Sequence, residues 1–201
     1  MLFRSKLTHS MITPEGYIYV EDYGASTSLA NNATAINAAI AAAYASNASV
    51  YLTDIYPTTD PIILTPVGGA PVSIYGADMY KSGIAYTGSG NAIEVNQPGT
   101  TQSGQWSINN IKIDGTNGTG HGVYVNYAAL GAVKNCSIYN FAKSAIYYDH
   151  DNWTQEVSGC YMFNNGSLST YAAVTITPGH NNNAIKIHNN VIYNASGNYK
   201  A

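Results

Sequence analysis

The sequence predicts an all-β chain wound as a right-handed parallel β-helix, a solenoid closed at its N-terminal end by a capping α-helix. Three observations carry this. The octapeptide Val133-Lys-Asn-Cys-Ser-Ile-Tyr-Asn140 recurs as Ile108-Asn-Asn-Ile-Lys-Ile-Asp-Gly115, Val157-Ser-Gly-Cys-Tyr-Met-Phe-Asn164 and Ile187-His-Asn-Asn-Val-Ile-Tyr-Asn194, at offsets of 25, 24 and 30 residues. A second set of short alternating segments, Ala92-Ile-Glu-Val95, Gly122-Val-Tyr-Val125, Ala145-Ile-Tyr-Tyr148 and Ala173-Val-Thr-Ile176, recurs in step at 30, 23 and 28 residues. Between them lie Asn, Gly and Ser rather than helix formers. Two or three short strands per repeat of this size describe stacked coils, each pairing with the next at roughly 4.8 Å.

Taken in order, residues 1–16 read as an irregular leader and 17–201 as one β-helix domain. Tyr17-Ile-Tyr-Val20 alternates as a strand and closes at Asp22-Tyr-Gly24. Residues 33–46 place Ile36, Ile40, Ala43 and Tyr44 on one apolar stripe behind Asn31 or Asn32 as N-cap, which makes this the helix that covers the open end of the stack. Val50-Tyr-Leu52 and Ile62-Ile-Leu64 are strands of the first coil, with the stretch from Pro57 to Pro61 as a loop. Val72-Ser-Ile-Tyr-Gly76 begins the regular ladder. Asn110, Asn135, Gly159 and Asn189 fall at one corner, where Asn and Gly tolerate turn geometry and stacked amides can form a ladder. Cys136 and Cys160 hold the same position on adjacent coils and read as buried free thiols rather than a disulfide or zinc pair.

Composition narrows the function classes. The chain has 201 residues, 45% hydrophobic and only 9% charged, with a net charge of −3 and 18 tyrosines. An average soluble domain carries about 25% charged residues, so here the polar surface comes from Asn, Thr, Ser and Tyr. That suits neutral polar ligands such as sugars and excludes a binder of nucleic-acid backbone, which needs clustered Lys and Arg. No stretch reaches the roughly 18 apolar residues of a membrane span. The first ten residues carry positive charge without a continuous apolar region, so no clear signal peptide is read there.

The succession Tyr19-Val-Glu-Asp-Tyr-Gly-Ala25, Thr34-Ala-Ile-Asn-Ala-Ala-Ile40, Val50-Tyr-Leu52 and Val72-Ser-Ile-Tyr-Gly76 resembles the N-terminal region of the pectate lyase superfamily, which includes polygalacturonase-like enzymes and phage tailspike depolymerases. The motifs cover residues 17–80 and the coil periodicity continues over 81–195. Where that family has Gly-Asp-Gly and paired Asp before the helix, this chain has Ser26-Thr-Ser28 and Asn31-Asn32. The resemblance implies a polysaccharide partner, an extracellular or virion-associated setting, and either lyase or glycoside hydrolase chemistry. Family members run through further coils, so a homo-oligomer or a partner chain is expected to cover the C-terminal end.

Glycoside cleavage uses two carboxylates facing one groove. Asp149, Asp151 and Glu156 form the best acidic cluster and are the candidate catalytic set. Trp153, Tyr124, Tyr147 and Tyr161 are candidate carbohydrate-binding residues, since outward aromatics on a rigid stack offer flat faces to sugar rings; Tyr139 and Tyr193 share that orientation. Asp114 falls on a different face. Gly179-His180 with Ile185-Lys-Ile187 faintly resembles a polygalacturonase signature that lacks here its second Gly and its Arg. No cofactor and no metal are expected. Recognition of a polysaccharide, its cleavage, and a purely structural assembly module are the three function classes left open.

Overall fold

The computed structural model describes residues 16–66, 71–96, 104–116, 118–168 and 170–193. Of the expected leader, all but Gly16 lies outside these residues, as does the tail from 194 on. Strand β1 (Tyr17–Tyr19) leads through a 3-10 turn and Gly24, whose φ is 94°, to helix α1 (Ala33–Ser46). Five three-strand coils follow. They comprise β2 (Ser49–Leu52), β3 (Ile55–Thr58) and β4 (Ile62–Leu64); β5 (Val72–Gly76), β6 (Gly83–Tyr86) and β7 (Ile93–Asn96); β8 (Trp106–Asn109), β9 (Lys112–Asp114) and β10 (Val123–Asn126); β11 (Ala129–Lys134), β12 (Ser137–Tyr139) and β13 (Ile146–Tyr148); and β14 (Trp153–Ser158), β15 (Tyr161–Phe163) and β16 (Val174–Ile176). A further turn contributes β17 (Asn183–His188) and β18 (Val191–Tyr193).

Every pairing is parallel and joins strands of successive coils, which gives three sheets along the stack. The first runs β1-β2-β5-β8-β11-β14-β17, the second β3-β6-β9-β12-β15-β18 and the third β4-β7-β10-β13-β16. Each sheet sends one file of apolar side chains inward. Val50, Ile74, Ile108, Val133 and Val157 form the first file; Ile84, Ile113, Ile138 and Met162 belong to the second; Ile62, Ile93, Val123 and Ile146 to the third, all buried. Burial of these files is the main stabilising term, because a single coil has no partner for its inner face until the next one stacks on it.

The recurring octapeptide turns out to be two strands and a corner. Asn110, Asn135, Gly159 and Asn189, at φ of 59°, 52°, 65° and 56°, adopt the left-handed conformation between the first and second sheets. That kink resets the alternation, so Ile108 and Ile111 both point inward although three residues apart. The expected amide ladder at this corner is replaced by backbone contacts: Asn110 Nδ2 donates to the Gly76 carbonyl (3.0 Å) and the Ala77 carbonyl (3.1 Å). A buried asparagine ladder instead lies between the third and first sheets. Asn152 Oδ1 accepts the Ala128 N–H (3.1 Å), and Asn182 Oδ1 accepts both the N–H and the Nδ2–H of Asn152 (3.0 Å each).

The stretch expected as a loop from Pro57 contains strand β3, in which Pro57 pairs with Ala85 of β6. Proline is tolerated there because β3 is the edge of its sheet and needs no donor on the open side. The cap works by covering such edges. Asn32 donates through Nδ2 and its backbone N–H to the Pro57 carbonyl, both at 2.9 Å, while Asn31 Oδ1 accepts the Thr59 N–H at 3.1 Å. Asn37 on α1 accepts the Ile63 N–H (2.8 Å) and donates to the Pro61 carbonyl (3.1 Å), closing the edge at β4. Asn32 is thus the N-cap residue by position, yet it is Asn31 Oδ1 that takes the Ala33 N–H (3.1 Å). Cys136 and Cys160 are free and buried, and burial pushes the Cys136 thiol well up, away from reactivity.

Candidate functional site

The outer side of the third sheet carries Glu94, Tyr124, Tyr147 and Thr175 in register on successive coils. Tyr124 and Tyr147 lie parallel, centroids 5.9 Å apart at 9°. The buried His121 ring sits 4.3 Å from Tyr147, and Tyr171 packs edge-on against both. These rings turn their faces to one another along the stack and leave edges and hydroxyls outward, a different presentation from the flat faces expected. Their hydroxyls are engaged too. Tyr124 donates to Asp149 Oδ2 at 2.5 Å, and Tyr147 accepts from Thr177 Oγ1 at 2.8 Å. Burial and the Asp149 carboxylate push the Tyr124 phenol up, so it is a donor at every working pH.

Immediately after β13 the chain turns the corner toward the first sheet through Asp149, His150 and Asp151. Asp149 Oδ1 lies 3.0 Å from His150 Nδ1. The His150 ring stacks on Tyr127 of the preceding coil, at 5.6 Å and 26°, and meets the His180 ring of the following coil at 3.7 Å. Asp151, in the left-handed conformation at φ 45°, accepts the Asn181 N–H on Oδ1 at 2.9 Å. Trp153 opens β14 with 46% of its surface exposed, and its Nε1–H donates to the Asn181 carbonyl at 3.1 Å, which fixes the indole plane.

Asp149, Asp151, Trp153, Tyr124 and Tyr147 therefore share one corner of the stack, and two residues from the candidate set stand elsewhere. Tyr161 is on the second sheet, where it stacks with Phe163 at 6.4 Å. Glu156 faces outward from the first sheet, in register with Ala132 and Lys186. It pairs with Lys134 Nζ at 2.7 Å, accepts from Ser158 Oγ at 2.9 Å and has His188 Nε2 at 3.4 Å. It lines an open groove of about 430 Å³ with Leu130, Gln155 and Lys186. The Lys134 ammonium and the Ser158 hydroxyl hold its carboxyl below the usual range. A general acid needs the opposite shift, so Glu156 suits only ionised roles. Asp114, on the second sheet, is likewise held low: partial burial opposes it, but Thr116, Asn140 and Lys112 at 3.3 Å prevail.

His150 and His180 were not singled out together by the sequence, although they stand 30 residues apart, the coil offset that separates Val157 from Ile187. The stacking that joins them was legible in that spacing; what hid them was that neither lies in a repeated strand.

No protein-family model matches the chain, and no curated protein does. Solved structures do. The chain is similar to ORF18 of Geobacillus virus E2, with a TM-score of 0.68 and 19% identity over 87% of this chain and 40% of that one. It is similar to the Agl-KA catalytic domain, with a TM-score of 0.58 and 18% identity over 85% of this chain and 36% of that one. It is similar also to the catalytic unit of a thermostable GH87 alpha-1,3-glucanase from Streptomyces thermodiastaticus strain HF3-3, with a TM-score of 0.58 and 16% identity over 89% of this chain and 36% of that one. The chain thus spans about two fifths or less of the length of these proteins. Likeness at such identity is likeness of fold, and together with the three parallel sheets it establishes the right-handed parallel β-helix, with α1 as its N-terminal cap, that the resemblance to the pectate lyase superfamily implied.

Proposed function

We propose that this chain recognises a polysaccharide at the corner formed by Asp149, Asp151 and Trp153. The observation that carries the reading is the Trp153 indole, exposed yet held by Asn181, beside carboxylates that can accept sugar hydroxyls. A fixed aromatic plane binds the apolar face of a pyranose at little entropic cost, and neighbouring oxygens set its orientation. The low charge of the chain favours a neutral or weakly charged glycan. The fold likeness to a phage protein and to an alpha-1,3-glucanase supports an extracellular or virion-associated setting and a tailspike-like role. Tyr124 and Tyr147 act as the rigid backing of the corner, and Tyr161 serves a separate surface.

The test is affinity electrophoresis or a glycan array with wild type and Trp153→Ala. Losing one stacking plane worth about 1 kcal/mol or more beyond its area should weaken binding roughly five- to tenfold. If wild type binds and Trp153→Ala binds equally, the corner is not the site. If wild type binds nothing on a broad panel, the structural or assembly reading takes precedence. Cleavage is the further proposal for the same corner, with Asp149 and Asp151 as the carboxyl pair and Glu156 outside it. Asp149→Asn and Asp151→Asn should each abolish product formation, whereas Glu156→Gln should not. The proposed oligomer or covering chain would bury Ile187, Val191 and Tyr193, exposed on the last described turn, and sedimentation over graded concentration checks it.

A further inference from the structure

We propose that Asp149, His150 and His180 form a binding site for one borderline divalent transition metal, zinc or a close relative, that fastens two successive coils together. Each residue offers one ligand atom, and these atoms all lie within 4.8 Å of one another. The two imidazoles come from different coils: His150 follows β13 and His180 precedes β17. Their ring centroids are only 3.7 Å apart, a close approach of two groups that repel once both are protonated. Shared coordination turns that crowding into attraction.

The spacing fits a common metal. Donors at about 2.0–2.1 Å from a tetrahedral zinc stand roughly 3.3 Å from each other; Asp149 Oδ1 and His150 Nδ1 are at 3.0 Å already. Small side-chain rotations of His180, which is exposed, suffice to bring in the third donor. The donor set selects the metal. Two imidazole nitrogens and one carboxylate oxygen suit zinc, nickel, copper or cobalt, whereas calcium and magnesium require more oxygens than this corner supplies. Outer support is present as well. Tyr124 donates to Asp149 Oδ2 at 2.5 Å, which orients the carboxylate so that Oδ1 faces the histidines, the kind of second hydrogen bond that ligating carboxylates receive. Tyr127 stacked on His150 fixes the plane of that ring.

The inference does not rest on sugar binding. A metal here would tie the Asp149–Asp151 corner to the turn that precedes β17, the edge strand of the first sheet among the described residues. An open coordination position would remain for water or a ligand oxygen, which follows from three protein donors.

The test uses the full, untagged chain after chelator treatment. Isothermal titration with Zn(II) should show one site per chain, Co(II) should give visible bands from nitrogen and oxygen donors, and Ca(II) should show no saturation at the same concentrations. Asp149→Asn and His180→Ala should each weaken Zn(II) binding at least about tenfold, the scale on which metal sites respond even to their outer partners, while His188→Ala should leave it unchanged. Side-chain nitrogen NMR of wild type serves where a variant fails to fold: zinc should shift the imidazole resonances of His150 and His180 and spare His121 and His188. No saturable zinc or cobalt binding, binding retained in Asp149→Asn and His180→Ala, or shifts confined to other histidines would overturn the proposal.

Discussion

His121 sits 4% exposed against Tyr147 and Tyr171, and its Nδ1 accepts the Ser144 N–H at 3.2 Å, which places its proton on Nε2. Burial, with a smaller push from Lys143 and a weaker counter-pull from Asp149, lowers its pKa to about 3. The unfolded chain protonates this imidazole near 6.5, so the unfolded state binds the extra proton first as pH falls. Its contribution to stability is therefore complete above about pH 6.5 and declines between there and about pH 3, by up to about 1.4 kcal/mol per pH unit. Urea midpoints measured from pH 7 to 5, above most carboxylate titration, should fall in wild type and stay nearly flat in His121→Gln; parallel slopes would place the acid sensitivity elsewhere. Not every residue-level constraint was readable in the chain. Gly131 looks like a strand-weakening glycine, but a Cβ there would stand 2.0 Å from Trp106 Cε2 and 2.2 Å from Gln155 Oε1. Its inward neighbours on the coils below and above are those two large side chains, and the need for glycine is visible only once register is known.

At the level of elements, α1 was legible because its stripe of Ile36, Ile40 and Ala43 has helical spacing, and all three are buried against the stack. Its polar face was not legible. Asn37 reads as an ordinary surface residue, yet it replaces a missing neighbouring strand for β4 by accepting the Ile63 N–H and donating to the Pro61 carbonyl. Asn37→Leu keeps the size and helix propensity and removes both bonds. Leaving that edge N–H and C=O unpaired should cost about 1–3 kcal/mol, seen as a lower denaturant midpoint with an unchanged m-value. Asn37→Asp retains the acceptor and should fall between the two. An equal midpoint for Asn37→Leu and wild type would show that solvent closes this edge as well as the helix does. The strand β3 was missed for a related reason: Pro57 marks a loop in most contexts and is allowed here only because α1 and its preceding asparagines cover the open side.

Across the whole molecule, each coil touches chiefly the coils before and after it, so stability accumulates by neighbouring interfaces rather than from one centre. The periodicity that revealed this also located the corner at Asp149, while the companion His180 stayed hidden because only three-dimensional stacking joins residues one coil apart. The stack is not uniform along its axis. Ile108 and Val133 are fully buried in the first-sheet file, whereas Ile187, in register with Val157 at the next step, is 43% exposed, and Val191 on β18 is 56% exposed. The interface that holds β17 and β18 therefore buries less apolar surface and should open at lower free energy than those at the middle. Four hydrogen-bonded amides report it: Asn183 to the Asn152 carbonyl and Val191 to the Cys160 carbonyl, both 2.9 Å, against Ile93 to the Gly122 carbonyl at 3.0 Å and Val123 to the Ala145 carbonyl at 2.8 Å. Native-state hydrogen exchange should show Asn183 and Val191 exchanging at least about tenfold faster than Ile93 and Val123, equivalent to about 1.4 kcal/mol. Zinc, if it joins His150 to His180, should slow Asn183 selectively, since that amide lies just beyond His180 in the same turn. Equal protection of all four amides would mean instead that the stack opens as a single cooperative unit, with the terminal turn held as firmly as the coils beneath it.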